Sequence, residues 1–491
     1  MNLLAIDQST SATKAVLFDA SGSVLDKSTR PHRQIYPQPG WVEHNAEEIW
    51  RNVLAVIREI TKRNHAKISN LAGLSLTNQR ETVLIFDRQT GKPLHHALVW
   101  QDRRGDAICA KLVNQGCEKS VCARTGLKID TYFSASKVRW LIEHHPAIAA
   151  KLKHGDAAVG TMDAYLIHRL TGGKVFATDF TNASRTLLFD IGKLCWDESL
   201  CQLFRVPLHA LPEVRESSAS FGETNAQGIL PKTVPIMGVM GDSQASLFAQ
   251  RCHQPGDVKA TFGTGTSVLL NIGGKFQPPG NGAVTALAWV WRSQPTYAFE
   301  GLINFSAATI EWLKNQLGLI QNSSEVEKLS LSIKDNGGVY LVPAFAGLSA
   351  PYWAPNARAA LLGLTGFSTK AHIVRAAEES IAYQIRDVLD MMRADAGIKL
   401  HILHADGGPT RDRFLMQFTA DLTGMNLSVS EVAESSAWGA AMNGLLGLGR
   451  YSALEDLDKL PRKQTIFRPR MKVAERKKLH DGWLQAVKRV L

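Results

Sequence analysis

Two short segments far apart in the chain share one pattern, and that repetition constrains the fold more than any other feature. Residues 3–6 are apolar, the polar stretch Asp7, Gln8, Ser9, Thr10 and Ser11 follows, and residues 14–18 are again dominated by apolar side chains. The spacing predicts a strand, a small-residue turn and a second strand. Far downstream Val258–Phe262, then Gly263, Thr264, Gly265 and Thr266, then residues 268–272 repeat it, as though the chain began again. With 491 residues the chain exceeds the size at which a single core stops growing, so two domains are expected, divided near residue 250 into 1–250 and 251–491. Helical periodicity over residues 46–62 and Ser134–His144 is interspersed with β-like runs such as 71–77 in the first part. Strand patterns at 338–342 and 400–405 alternate with helical ones at 371–391 and 413–422 in the second. This alternation predicts an α/β architecture.

Composition removes several function classes. Hydrophobic residues at 45% and charged residues at 21% describe an ordinary globular protein, and apolar runs such as 282–291 are too short and broken to span a membrane. Met1 leads directly into the first apolar segment without a basic leader or cleavage site, so a cytoplasmic location is expected. Six cysteines are scattered without a CxxC pair and read as reduced thiols rather than a zinc site or a disulfide framework. The net charge of +11 is dispersed and unaccompanied by an aromatic-basic module, which argues for a solvated surface and no nucleic-acid partner. Basic and apolar residues between 468 and 489 recur at helical spacing and predict a terminal helix docked on the body.

The residues that can carry chemistry cluster at strand ends. Asp7 beside Thr10 and Ser11 in a tight turn suits a phosphate with its metal ion, and Lys14 adds a positive charge. Gly263, Thr264 and Gly265 form a second phosphate-compatible turn, and Asp406, Gly407, Gly408 and Pro409 a third, between a strand and a helix where open α/β sheets bind ligands. Asp242 ends the apolar run 234–241 and opens a helix, where spacing alone leaves two readings open: an N-cap, or a carboxylate that accepts the proton of an attacking hydroxyl. Arg80 and Glu81 interrupt two β-like runs and suit vicinal hydroxyls, against the commoner reading of a surface ion pair. Trp100 and Tyr132 suit pocket walls, against the commoner reading of core aromatics.

Taken together the segments resemble the FGGY family of carbohydrate kinases. The resemblance rests on IDQSTSATKAVLFD at 6–19, QIYPQPGWVEHNAEEIW at 34–50, LTNQRETV at 76–83, VWQDRR at 99–104 and DTYFSASKVRWL at 130–141. It continues through TDFTNASRTLLFD at 178–190, MGDSQASLF at 240–248, FGTGT at 262–266, VPAFAGLSAPYWAPNARA at 342–359 and DGGPTRDRFLMQF at 406–418. It implies two actin-like, ribonuclease-H-like domains closing over ATP, Mg2+ and a small polyol or sugar, and a homo-oligomer, dimer or tetramer. It implies Asp242 as the general base, Arg80, Glu81, Trp100 and Tyr132 as polyol contacts, and Asp7 toward the metal. Thr10, Ser11, Lys14, Thr264, Ala307, Gly408 and Asp412 fall on the nucleotide side.

Departures from the family's glycerol-phosphorylating branch concentrate on the acceptor pocket. Ser243 stands where that branch has a glutamine beside the base, and Ser267 where it has an aromatic residue after the second phosphate turn. Both remove bulk, so a four- or five-carbon polyol or ketose stands beside glycerol as the expected acceptor. Ala12, Ala307 and Asp412 replace Ser, Gly and Asn on the nucleotide side, and residues 225–231 lack the glycine-rich core used for fructose 1,6-bisphosphate, so that regulation is expected to be absent. An ATP-dependent switch protein on the same fold is the alternative from another class, because fold alone does not fix function.

Overall fold

The computed structural model describes every residue except Asn281 and Ala433. Two large mixed sheets organise it. The first has six strands in the order Ser220–Thr224, Val234–Gly241, Leu71–Asn78, Asn2–Gln8, Ala12–Asp19 and Val24–Pro31. The second has seven, in the order Val284–Trp291, Gln294–Ile303, Thr266–Gly273, Val258–Phe262, Leu403–Gly407, Leu427–Ser430 and Gln464–Phe467. In both, a hairpin is extended on one side by two parallel strands: Leu71–Asn78 and Val234–Gly241 in the first, Leu403–Gly407 and Leu427–Ser430 in the second. The repeat read from the sequence therefore reappears as repeated topology. Central strands such as Asn2–Gln8 and Leu71–Asn78 are buried along most of their length, as continuous apolar runs between covered faces require.

A smaller five-stranded sheet of short segments, including Val83–Asp87 and Ala157–Thr161, extends the N-terminal part. The two large sheets meet through the helices Asp242–Ala249 and Ser435–Gly447, which cross so closely that a Cβ on Gly439 would lie 1.8 Å from the Ala245 carbonyl oxygen. The apolar layer there joins Leu3, Ala5 and Met240 from one side to Leu269, Ala288 and Trp289 from the other.

Local signals placed most elements well. Helix Ala46–Arg63 starts on the Asn45 side chain, which accepts from the amides of Glu47 and Glu48, and buries one apolar face. Helix Val473–Lys488 docks as expected, with Trp483 fully buried and its indole donating to Asp387 Oδ2 at 2.6 Å. Several element bounds differ from the sequence reading, the strand expected at 338–342 being confined to Tyr340–Val342. The strand expected at 400–405 runs over Leu403–Gly407, because pairing with Val258–Phe262 sets its register, so Asp406 and Gly407 belong to the strand and only Gly408 onward turns. The helix expected at 371–391 runs over Lys370–Ala396 and stops at Gly397, whose φ of 64° ends it. Among the described residues no helix is long and apolar enough to cross a membrane, and all six cysteines are free thiols.

Candidate active site

Asp242 follows strand Val234–Gly241 and is the first residue of its helix, while Gly241 occupies the cap position. Its Oδ1 accepts the Ser243 amide at 2.6 Å, so the capping reading reduces to one adjacent bond. The side chain is 35% exposed and meets Arg80, whose Nε lies 3.4 Å from Oδ1. Partial withdrawal from water raises the Asp242 pKa, with Arg80 opposing. Gly241 lets the strand pass close to Arg80, since a Cβ there would lie 2.8 Å from Arg80 Cγ.

Arg80 and Glu81 are not a surface pair. They are 4% and 1% exposed, and Glu81 adopts a left-handed φ of 62°, a local strain of about 1 kcal/mol that places consecutive charged side chains inside the protein. Arg80 Nη2 donates to Glu300 Oε1 at 2.6 Å and Nη1 to Gln244 Oε1 at 3.2 Å. Arg185 Nε donates to Glu81 Oε1 at 2.6 Å. Its Nη2 lies 2.7 Å from Glu300 Oε2 as an ion contact outside hydrogen-bonding angles, which leaves both atoms without a hydrogen-bond partner. Two arginines thus alternate with two glutamates, and Glu300, from the second sheet, ties the lattice across the two halves. Burial opposes ionisation of Glu300, but Arg185 and Arg80 outweigh it and hold its pKa at about 2. For Glu81 burial prevails and the pKa rises, against Arg80 and Arg185.

Tyr132 and Trp100 stand beside this lattice, with ring centroids 5.4 Å apart. Burial pushes the Tyr132 phenol up, with the charge of Glu81 adding, so it stays a neutral donor. The Trp100 indole donates to Thr10 Oγ1 at 3.0 Å and links the aromatic pair to the turn that follows Asp7. There Asp7 is buried and pushed up to about 6 by burial, with Lys14 opposing and Asp242 and Glu434 adding to the rise. Lys14 Nζ lies 3.4 Å from Asp7 and 3.0 Å from Glu434. Ser11 is exposed in the turn and makes none of these contacts.

The second turn is held differently. The carbonyls of Gly263 and Thr264 accept the amides of Ala307 and Ser306 at 3.1 and 2.9 Å, and a Cβ on Gly265 would lie 2.4 Å from the Ile303 carbonyl oxygen. The turn is thereby fixed onto the start of helix Ala307–Asn315 with Thr264 exposed. Beyond it opens a cavity of about 560 Å3 whose walls include Ala307, Ile310, Val326, Ile381, Gly408 and Asp412. Three predicted nucleotide residues therefore share one cavity. Ser267 lies at the lattice instead, its hydroxyl donating to Glu300 Oε1 at 3.2 Å.

The sequence reading assigned no role to Arg185, Glu300 or Lys259. Lys259 is fully buried without a hydrogen-bond partner, and burial lowers its pKa while Asp406 opposes. The available signal was a charged residue inside an apolar strand, as Glu300 is within Gln294–Ile303 and Lys259 within Val258–Phe262. Among the described residues no group of three or more His, Cys, Asp or Glu side chains gathers into a ready metal cage. A magnesium ion held by one carboxylate, phosphate oxygens and water needs none, and Asp7, with Lys14 Nζ 3.4 Å from its carboxylate, fits that role.

This arrangement has counterparts. The N-terminal domain model of the FGGY family of carbohydrate kinases matches residues 2–249 and its C-terminal domain model residues 258–448. Glycerol kinase 1 of Thermotoga maritima is 46% identical over 491 residues, covering 100% of both chains, and glycerol kinase of Brevibacillus brevis is 45% identical, covering 99% of this chain and 97% of its own. The structure of Plasmodium falciparum glycerol kinase with ADP superposes with a TM-score of 0.94 at 36% identity, covering 100% of this chain and 98% of that one. A xylulose kinase from Lactobacillus acidophilus, at a TM-score of 0.88 and 18% identity over 99% and 97% of the two chains, shares the fold. The chain belongs to the FGGY family of carbohydrate kinases and is an ATP-dependent kinase.

Proposed function

We propose that the chain transfers the γ-phosphoryl group of ATP to a terminal hydroxyl of glycerol, with lobes 1–250 and 251–491 closing on the two substrates. The observation that carries this reading is the convergence of Asp242 with Arg80, Glu81, Tyr132 and Trp100 beside the Asp7 turn. Arg80 and Glu81 hold vicinal hydroxyls as donor and acceptor, Tyr132 donates, and Trp100 covers the carbon skeleton. Asp242 takes the hydroxyl proton as the oxygen bonds to phosphorus and the bond to the ADP leaving oxygen breaks, and its raised pKa makes it a better base than a free aspartate. Lys14, Thr10, Ser11 and Thr264 position the phosphates, and Ala307, Gly408 and Asp412 hold the nucleoside. Magnesium, held through Asp7, would supply charge neutralisation between the phosphates.

The lattice tied by Glu300 presets Arg80 and Glu81 before substrate arrives, so little ordering remains at binding. Ser243 and Ser267 favour a second reading, a four- or five-carbon polyol or ketose, because both side chains are short where the acceptor would extend. ADP release measured across glycerol, erythritol, xylitol, ribulose, xylulose and dihydroxyacetone tests both readings. Glycerol giving the highest kcat/KM supports the first, a longer acceptor giving it supports the second, and turnover of none rejects both.

A further inference from the structure

A second buried polar set joins the strand ends that lead into Asp242 and Arg80. Its centre is Asp179, fully buried at the end of strand Ala177–Asp179. The carboxylate accepts the amides of Thr181 and Asn182, each at 3.0 Å, the Thr181 hydroxyl at 2.7 Å, Asn182 Nδ2 at 2.9 Å and the Ser217 hydroxyl at 2.8 Å. The two amide bonds make Asp179 the cap of the short helix Phe180–Ala183, and a cap needs no more than these. The remaining bonds reach further. Thr181 Oγ1 in turn accepts the amide of Gly241 at 2.8 Å, and Gly241 immediately precedes Asp242. Asn182 and Asn78 exchange side-chain amide bonds at 3.0 and 3.1 Å, and Asn78 pairs with Gly241 in the sheet.

A threonine hydroxyl carries one proton and both donates and accepts, whereas an ionised carboxylate only accepts. Burial raises the Asp179 pKa, and the donors gathered on it oppose the rise. Asp179 takes the Thr181 proton, so the oxygen is left to receive the Gly241 amide and the direction of the relay is fixed. Asp179, Thr181 and Gly241 are all buried, where no water stands in for a lost partner. Strand pairing between Val234–Gly241 and Leu71–Asn78 ends at Gly241 and Asn78, so the Thr181 bond is made where the ladder stops. Resting on the assignment of Asp242 as the base, we propose that Asp179 and Thr181 are positioning residues for the transfer step. They fix the Gly241 peptide and with it the line along which the Asp242 carboxylate meets the attacking hydroxyl. A misplacement of about 1 Å costs on the order of a hundredfold in rate. Thr181 acts through Gly241, so its loss falls on kcat rather than on ATP affinity.

Steady-state ADP release with saturating ATP tests this, using whichever of glycerol and the longer polyols and ketoses gives the highest kcat/KM, alongside ATP calorimetry. Thr181→Val, which keeps the shape and removes the hydroxyl, should lower kcat about tenfold or more with ATP affinity within about twofold. Thr181→Ser, which keeps the hydroxyl, should recover most of that loss. Ser217→Ala removes a bond to the same carboxylate without touching Gly241 and should leave kcat within about twofold. Added to Asp242→Asn, Thr181→Val should cost less than about twofold further, because the group it places is gone. Wild-type kcat in Thr181→Val, an equal loss in Ser217→Ala, or an undiminished loss in the Asp242→Asn background would overturn the proposal. Where Thr181→Val does not fold, Asp179→Asn, which no longer fixes the hydroxyl proton, carries the same expectations. Asp242→Asn turning over at the wild-type rate rejects the base assignment itself. A disabled Asp242→Asn beside a wild-type kcat in Thr181→Val rejects the positioning role alone.

Discussion

The side proposed for the acceptor and the side proposed for the nucleoside are built on opposite plans. Around Arg80 the protein places four buried charged side chains in alternation and pairs them with one another, so the pocket is braced before anything binds. Around Ala307 it leaves an open cavity whose walls mix apolar Ile310, Val326 and Ile381 with polar Glu311, Glu327, Arg411 and Asp412. The difference teaches where precision resides. In-line transfer tolerates little displacement of the attacking hydroxyl, whereas the base sits far along a flexible triphosphate and needs only to be held.

The largest effect should come from the group proposed to take the proton. Asp242→Asn is expected to lower kcat by about 10²–10⁴-fold while ATP affinity by calorimetry stays within twofold. Wild-type turnover would remove Asp242 as the base. Next comes the lattice itself: Glu300→Gln leaves Arg80 and Arg185 without their shared counter-charge, and removing one partner of such a buried set costs about 3–5 kcal/mol, readable as a lowered denaturant midpoint. An unchanged midpoint would mean that the lattice is not what stiffens this side.

A milder effect concerns pH. The Asp7 pKa in the folded protein, about 6, lies above its ordinary 3.8, so between these values the folded chain holds a proton that the unfolded chain has released. Its contribution to stability is therefore most favourable at low pH and is lost as pH rises through about 6, while the carboxylate proposed to act at the phosphates disappears in the opposite direction. Activity should fall about tenfold per unit below pH 6, and a flat profile down to pH 5 would show that Asp7 ionisation is not required. The smallest effect is expected at Ser267, whose hydroxyl makes one bond to Glu300 at 3.2 Å. Ser267→Ala should cost about 0.5–1.5 kcal/mol of stability or acceptor affinity, and a larger loss by either measure would show that Ser267 holds the substrate itself.

Much of this was legible in the sequence. The repeated strand, turn and strand, the helix Ser134–His144, and Asp242 at the end of an apolar run follow from periodicity and turn chemistry. Ala307, Gly408 and Asp412 were read separately and fall around one cavity. The lattice was not legible, because Arg185 is 104 positions from Glu81 and Glu300 is 220 from Arg80, so they meet only through tertiary packing, and local patterns report neighbours within a turn or a strand. Glu378 was equally hidden: beside Glu379 on a long helix it looks like one more solvated charge, and only packing shows that Glu379 meets Arg375 while Glu378 meets the Ser330 hydroxyl and the Asp412 carboxyl.

The sequence by itself determined the elements, their duplication and the chemistry at the strand ends, since apolar periodicity, glycine turns and small-residue loops act over a few residues. Tertiary structure alone decided which charges are buried, which cancel and which are left facing a cavity. Burial and Coulomb interaction depend on distances through space, and those exist only once the two sheets have come together.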